Sequence, residues 1–255
     1  MNGRRALALA CAAVLAVTAS LQAGAEEAPT LATPYGPVWL SLPLGGEEPF
    51  PAVLILADRS GPDGREVPYA DYLLAAGIAV IQLGSDAPEE AVPLLRPSGL
   101  RAIARSLAPG RLDPERIGLL GFGAGGRAAL AASEVPVAAL YPACGGLPPA
   151  QRSGRTLMLY PDDPGEAAAC LQVDPRAEAV KTTTHGWDHG QGIGAGGTAM
   201  LPHPDGSRVR LFARSDSWAT QESVARVVRH FRDAFRAAEP GRGPQRPAGV
   251  VRLAK

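Results

Sequence analysis

Residues 117–126 restrict the fold of this chain more than any other segment does. They begin with Ile117-Gly118-Leu119-Leu120 and continue as Gly121-Phe122-Gly123-Ala124-Gly125-Gly126, and mostly small residues follow up to Ser133. An apolar run that enters a glycine-rich turn is typical of a buried strand whose backbone must change direction abruptly. A helix rich in small residues can then pack closely against the sheet. We therefore predict a strand at 117–120, a tight turn, and a helix at 125–133.

The same alternation of apolar runs and helical spacing extends along most of the chain. Buried strands joined by helices of about ten residues predict a mostly parallel sheet with helices on both faces, in a single α/β domain at 51–238. A lead-in and edge strand occupy 26–50, and a tail rich in Pro, Gly and Arg at 239–255 is predicted to be disordered. Further strands are predicted at 38–42, 52–57, 78–83, 137–141, 156–160 and 179–184, further helices at 68–76, 97–107, 166–171 and 218–237, and a glycine-rich loop at 190–206.

The N-terminal segment has the features of a secretory signal peptide. Arg4 and Arg5 precede an apolar run at 6–17, and Ala23 and Ala25 supply the small residues of a cleavage site. The apolar run is too short to span a membrane as a helix. We predict cleavage after Ala25, a periplasmic or secreted location, and no membrane association afterwards.

Charge and cysteine content exclude some functions and suggest one covalent feature. The chain has 25 basic and 25 acidic residues, with no basic stripe that would favour nucleic acid. Beyond the predicted signal peptide two cysteines remain, Cys144 and Cys170. In an oxidising compartment such a pair predicts a disulfide, although one thiol could instead be free and reactive.

The glycine turn itself has two interpretations. Gly121, Gly123 and Gly126 fit the G-x-G-x-x-G pattern of dinucleotide-binding loops, but this turn follows at least two earlier strands, and no acidic residue ends the strand at 137–141. The turn also fits the G-x-S-x-G nucleophile elbow, with Gly121 and Gly125 as the flanking glycines and Gly123 at the nucleophile position. The second interpretation is favoured, and no cofactor is expected.

Several further motifs occur in an order that resembles the dienelactone hydrolase family, a branch of the α/β-hydrolases. Residues 51–57 look like the strand before the oxyanion loop, and residues 121–126 resemble the elbow of that family. The acid segment is matched by 157–163 with 167–170, the segment Tyr-Pro-Gly-Cys by 141–144, and the histidine segment by His185-Gly186-Trp187-Asp188. The resemblance covers roughly 51–235 and implies the α/β-hydrolase fold.

The resemblance also assigns roles to individual residues. It implies that His185 is the general base and that Asp162, or else Asp163, is the acid that orients it. Residues of the oxyanion region would be Asp58, Arg59 and Ala124, and the structural glycines of the elbow would be Gly121, Gly125 and Gly126.

Three departures fall on the parts of the chain that would perform the chemistry, and one of them is an acid segment shorter than the family pattern suggests. Gly123 removes the attacking atom, and loss of a triad nucleophile lowers turnover on the order of a millionfold. Asp58 brings a negative charge to a site that should stabilise an oxyanion. We therefore expect an impaired hydrolase whose pocket is enlarged beneath Gly123 and binds a small ester-like or lactone-like molecule, or a protein partner.

An active ester or lactone hydrolase is the alternative. It would need another nucleophile, such as Ser60 or Cys144, or a water molecule activated by His185. His185 and His189 have the i, i+4 spacing of some metal sites, but the intervening Gly186 makes a helix there unfavourable, and no metal is predicted.

Overall fold

The computed structural model describes residues 30–132, 134–149, 155–181, 183–190 and 197–238. Within them an eight-stranded sheet and a separate two-stranded hairpin are joined by five α-helices. The strands are β1 Thr30–Thr33, β2 Gly36–Ser41, β3 Phe50–Leu56, β4 Ala79–Leu83, β5 Leu112–Phe122, β6 Val137–Leu140, β7 Thr156–Pro161, β8 Glu178–Val180, β9 Thr198–Pro202 and β10 Arg210–Arg214. The helices are α1 Val67–Ala75, α2 Pro97–Leu107, α3 Ala124–Ala132, α4 Pro164–Val173 and α5 Ser217–Ala237.

The large sheet is mostly parallel. Its strand order is β1-β2-β4-β3-β5-β6-β7-β8; β1 and β2 run antiparallel to their neighbours, and all pairings from β4 to β8 are parallel. Because parallel strands end at the same edge, the segments that follow β3, β5, β7 and β8 are brought together at one edge of the sheet.

Helices cover both faces of this sheet, as predicted. Alternate residues of β3 point to opposite faces: Leu54 belongs to the core shared with α2, α3 and α4, and Val53 to the core shared with α1 and α5. The interior strands are therefore apolar on both sides, which explains their continuous apolar runs.

Most predicted elements are present within a few residues of the predicted bounds, but two regions differ. The predicted polar lead-in contains β1, which pairs with β2 across the turn at Thr33–Gly36. The loop predicted at 190–206 contains β9, whose partner β10 was also not predicted. The predicted strand at 179–184 is shorter and shifted, and it forms β8 at Glu178–Val180.

Some predictions concern residues outside the described ranges. The signal peptide at 1–25 and the tail at 239–255 are among them. Within the part of the chain that is described, no helix combines the length and the apolar character needed to cross a membrane.

Candidate active site

The turn after β5 resembles a nucleophile elbow in the course of its backbone, from a strand through a tight turn into a helix. Gly123 has a φ of +51°, and its N–H donates to the Leu140 carbonyl at 3.0 Å. A Cβ at Gly125 would lie 2.5 Å from the Ala57 carbonyl oxygen, and one at Gly121 would overlap the Gly125 backbone. Glycine at these positions is therefore required by close backbone packing, whatever the function of the protein.

The space beside Gly123 is filled by Asp58, which follows β3. A Cβ on Gly123 would lie 2.5 Å from Oδ2 of Asp58 and nearer still to Oδ1 and Cγ. The Asp58 side chain is fully buried. The expectation of an enlarged pocket beneath Gly123 is therefore wrong, because a carboxylate from the neighbouring loop occupies the space that a side chain at position 123 would need.

The predicted oxyanion residues do meet, but in unexpected roles. Oδ1 of Asp58 accepts hydrogen bonds from the Arg59 N–H at 2.8 Å and the Ala124 N–H at 2.9 Å. The Ala124 N–H is the backbone donor that follows the nucleophile position, and such donors stabilise an oxyanion in active hydrolases. Here both donors are directed at a carboxylate of the protein itself.

A buried arginine that the sequence analysis missed balances this carboxylate. Nη1 of Arg65 lies 3.4 Å from Oδ2 of Asp58, and its Nη2 and Nε lie 2.6 Å and 2.8 Å from the two oxygens of Asp63. Only 1% of the Arg65 side chain is exposed. Hydrophobic periodicity does not distinguish a buried arginine in a loop from an exposed one. The only sequence feature that indicated this pairing is the short spacing between Arg65 and Asp63.

His185 lies on the other side of the same carboxylate. Its Nε2 is 3.6 Å from Oδ2 of Asp58, an electrostatic contact rather than a hydrogen bond, and its ring packs edge-to-face on Tyr141 with centroids 4.8 Å apart. Burial by itself raises the pKa of Asp58, but the His185 ring, the charge of Arg65 and the Ala124 N–H together outweigh it. They hold that pKa below its ordinary value of 3.8.

The two candidate acids have different surroundings. Asp163 caps α4, because its Oδ1 accepts from the N–H groups of Gly165 and Glu166, both at 3.0 Å. Asp162 is exposed and lines the same cavity as His185. No hydrogen bond or ion pair joins Asp162 to any residue in the described ranges, so of the two it is the carboxylate left free to face the cavity.

A second buried network, centred on Asp188, is connected to the contacts among Asp58, Arg65 and His185 described above. Asp188 is fully buried and accepts hydrogen bonds from the hydroxyls of Tyr141 and Tyr69, the latter at 2.9 Å. Arg65 donates to the Tyr141 hydroxyl at 3.3 Å, which links the two networks. Burial raises the pKa of Asp188 against the opposing effects of Arg65 and both tyrosines.

The alternative nucleophiles are engaged elsewhere. The Ser60 hydroxyl lies 3.3 Å from both Asp63 and Arg65. Cys144 forms the predicted disulfide with Cys170, at a sequence separation of 26, which confirms that pairing and leaves neither thiol free.

Two contacts bear on the metal-site and dinucleotide-loop interpretations of the sequence. His189 contacts Asp63 at 3.4 Å rather than sharing a ligand set with His185. A pyrophosphate at the start of α3 would need the Ala124 N–H that Asp58 already holds, and would meet its negative charge.

An open cavity of about 360 Å³ remains beside His185. Its lining includes Leu211 and Phe212 of β10, together with Thr184 and with Asp162, which directly follows β7. The β9–β10 hairpin is tied to the site by a bridge between His185 and Ala213. The cavity thus depends on two strands that the sequence analysis did not predict.

Comparison with known proteins supports the architecture. No protein-family model matches the chain, and no curated protein matches it. Among solved structures, a ferulic acid esterase from Streptomyces cinnamoneus is similar at 18% identity and a TM-score of 0.53, over 80% of this chain and 72% of that one. XC6422 from Xanthomonas campestris, an α/β serine hydrolase without a lid, is similar at 16% identity and a TM-score of 0.50, over 85% of this chain and 96% of that one.

The fold is that of the α/β-hydrolases. At these identities the likeness shows the fold and not the chemistry. A dienelactone hydrolase-like promiscuous phosphotriesterase, P91, from metagenomic libraries is also similar, at 18% identity and a TM-score of 0.49, over 78% of this chain and 92% of that one.

Proposed function

We propose that this chain is a dienelactone-hydrolase-like protein that has lost acyl transfer at the elbow and binds a small molecule beside His185. One observation carries the proposal. The Asp58 carboxylate holds the backbone donors of Arg59 and Ala124 and fills the space next to Gly123. The nucleophile is thus absent, and the position it would occupy is taken.

The charge at this position opposes hydrolysis independently of the missing nucleophile. The lowered pKa of Asp58 keeps its carboxylate ionised at neutral pH. A tetrahedral intermediate would place a second negative charge beside it, and the backbone donors could not turn to the new oxyanion while Asp58 holds them. Water activated by His185 would meet the same obstacle.

The remaining cavity supports ligand binding. Its volume of about 360 Å³ falls within the range of small-molecule sites, about 300–1,000 Å³. Phe212 and Leu211 offer apolar surface, and Thr184 and Asp162 offer polar groups. An ester-like or lactone-like ligand fits this combination and would remain intact there. The Cys144–Cys170 disulfide supports the proposed exported location.

The test places a serine at position 123, first alone and then together with removal of the Asp58 carboxylate. Hydrolysis of 4-nitrophenyl acetate is measured for the wild type, Gly123→Ser, Asp58→Ala with Gly123→Ser, and each of these combined with His185→Ala. Wild type and Gly123→Ser should show no His185-dependent turnover, because the new serine of the single variant meets the Asp58 carboxylate. The double variant should gain turnover that His185→Ala abolishes.

Circular dichroism establishes that each variant is folded. Wild-type turnover that disappears in His185→Ala would overturn the proposal. A folded double variant without any gain would contradict the role given to Asp58 as the obstruction.

A further inference from the structure

A second cavity lies between α1 and α5, and it shares no lining residue with the cavity beside His185. Its volume is about 570 Å³, which is within the range of small-molecule sites. We call it the α1–α5 groove. Residues of both helices line it, among them Tyr72, Val224, Val228, Arg229, Arg232 and Arg236.

The rim of the α1–α5 groove is cationic. Arg229, Arg232 and Arg236 follow one another at spacings of three and four residues, which places them along one side of α5. Arg236 lies 3.8 Å from Asp233, the only acidic residue of the lining. Within the described ranges Arg229 and Arg232 make no ion pair, so two guanidinium groups face the groove uncompensated.

The floor of the α1–α5 groove is apolar. Val224 is buried and Val228 partly buried in the core between α5 and the sheet, and Pro68 closes the groove from α1. Tyr72 forms part of the groove wall, and 61% of its surface is exposed. Contact with an apolar group would stabilise a ring that is exposed in this way. An apolar floor of this size with a polar rim is typical of a site that holds an amphiphilic molecule.

We propose that the α1–α5 groove binds an anionic amphiphile. Its carboxylate or phosphate pairs with Arg229 and Arg232, since planar guanidinium groups match the oxygens of such anions in two parallel hydrogen bonds. Its alkyl chain lies along Val228 and Tyr72. This site is separate from the one in the proposed function, and its test does not depend on that function.

The charge of the chain argues against its own C-terminal segment as the occupant. Residues 239–255 carry three arginines and one lysine but a single acidic residue, Glu239. Such a segment would be repelled by the arginines of the rim. The complementary ligand is therefore a separate anionic molecule.

The experiment measures binding to the purified protein by isothermal titration calorimetry. The probe is sodium dodecanoate below its micelle-forming concentration, with dodecyltrimethylammonium as the cation of equal chain length. Dodecanoate should bind at one site per chain, at least tenfold more tightly than the cation. Arg229→Gln with Arg232→Gln should weaken it at least tenfold.

Two further variants separate charge at the groove from general effects. Tyr72→Ser removes an exposed wall of the groove and should weaken dodecanoate severalfold. Arg105→Gln removes an exposed arginine on α2, outside the groove, and should leave binding unchanged. Co-sedimentation with vesicles of phosphatidylglycerol or of phosphatidylcholine then distinguishes a membrane lipid from a free amphiphile as the source of the anion.

Several results would overturn the proposal. One is equal affinity for dodecanoate and the cation, and another is equal loss of affinity in Arg105→Gln and in the double variant. Hexaglutamate that binds as tightly as dodecanoate would indicate an acidic peptide instead. Sedimentation that shows a dimer from which dodecanoate is excluded would assign the groove to a second copy of the chain.

Discussion

The turn after β5 and the loop after β3 meet at the same edge of the sheet, but different forces hold them in place. The turn is held by close packing of backbone on backbone, which only glycine permits at Gly121 and Gly125. The loop is held by charge, through the contacts of Arg65 with Asp58 and Asp63. Backbone packing thus fixes the shape of the turn, while a carboxylate from the neighbouring loop fills the space at its centre.

The two regions should therefore respond to different perturbations. Added side-chain atoms should destabilise the turn, whereas loss of a charged side chain or a low pH should destabilise the loop. The β3–β5 pairing brings both regions together, with Leu56 opposite Gly121. The loss of stability caused by a mutation in one region can then be compared with the loss caused by a mutation in the other.

The largest effect is expected for Arg65→Met. The change leaves the buried Asp58 and the neighbouring Asp63 without their main cationic partner, and breaking a buried ion pair from one side costs about 3–5 kcal/mol. The loss is measured as the difference in the free energy of unfolding in urea between the wild type and the variant. Arg101→Met, at an exposed pair with Glu115, should cost less than about 1 kcal/mol. Equal losses at both positions would show that charge does not hold the loop.

A somewhat smaller effect is expected for Gly125→Ala. The added Cβ would lie 2.5 Å from the Ala57 carbonyl oxygen, and a similar overlap occurs at Leu56. Backbone must shift, which costs about 2–3 kcal/mol by the general experience with overpacking. Gly45→Ala is the control, since a Cβ there meets nothing within 4 Å, and it should change stability by less than about 1 kcal/mol. If Gly125→Ala left the stability unchanged, close backbone packing would not explain why glycine occurs at this position of the turn.

The smallest effect is a change in pH dependence for Asp58→Asn. The pKa values of Asp58 and Asp63 are lowered in the folded chain, so their contribution to stability is present above about pH 4 and is lost as pH falls through the folded pKa. Urea unfolding between pH 6 and pH 2 should show a shallower acid decline for the variant than for the wild type. Parallel declines would mean that Asp58 is not linked to folding.

Much of the architecture was predictable because it depends on local patterns. Helix α2 begins and ends at the predicted residues, since its apolar spacing is regular and Pro97 marks its start. The hairpin of β9 and β10 was missed because Gly190, Gly197 and Gly206 suggested a loop, whereas cross-strand pairing stabilises the two short strands on either side of Gly206.

The candidate site was predictable only in part. Motif order selected Gly123, Asp58 and His185, and the structure brings these three together. It did not select Arg65, because a single charged residue in a loop looks the same whether it is exposed or buried.

The sequence by itself determined that position 123 offers no side chain that could attack a substrate, since it is a glycine. Only the tertiary structure decided what stands in its place. Asp58 and Gly123 are far apart along the chain, and the parallel pairing of β3 with β5 brings them to one edge of the sheet. There the Asp58 carboxylate meets two backbone N–H groups and the Arg65 guanidinium, which together make its burial as an anion favourable.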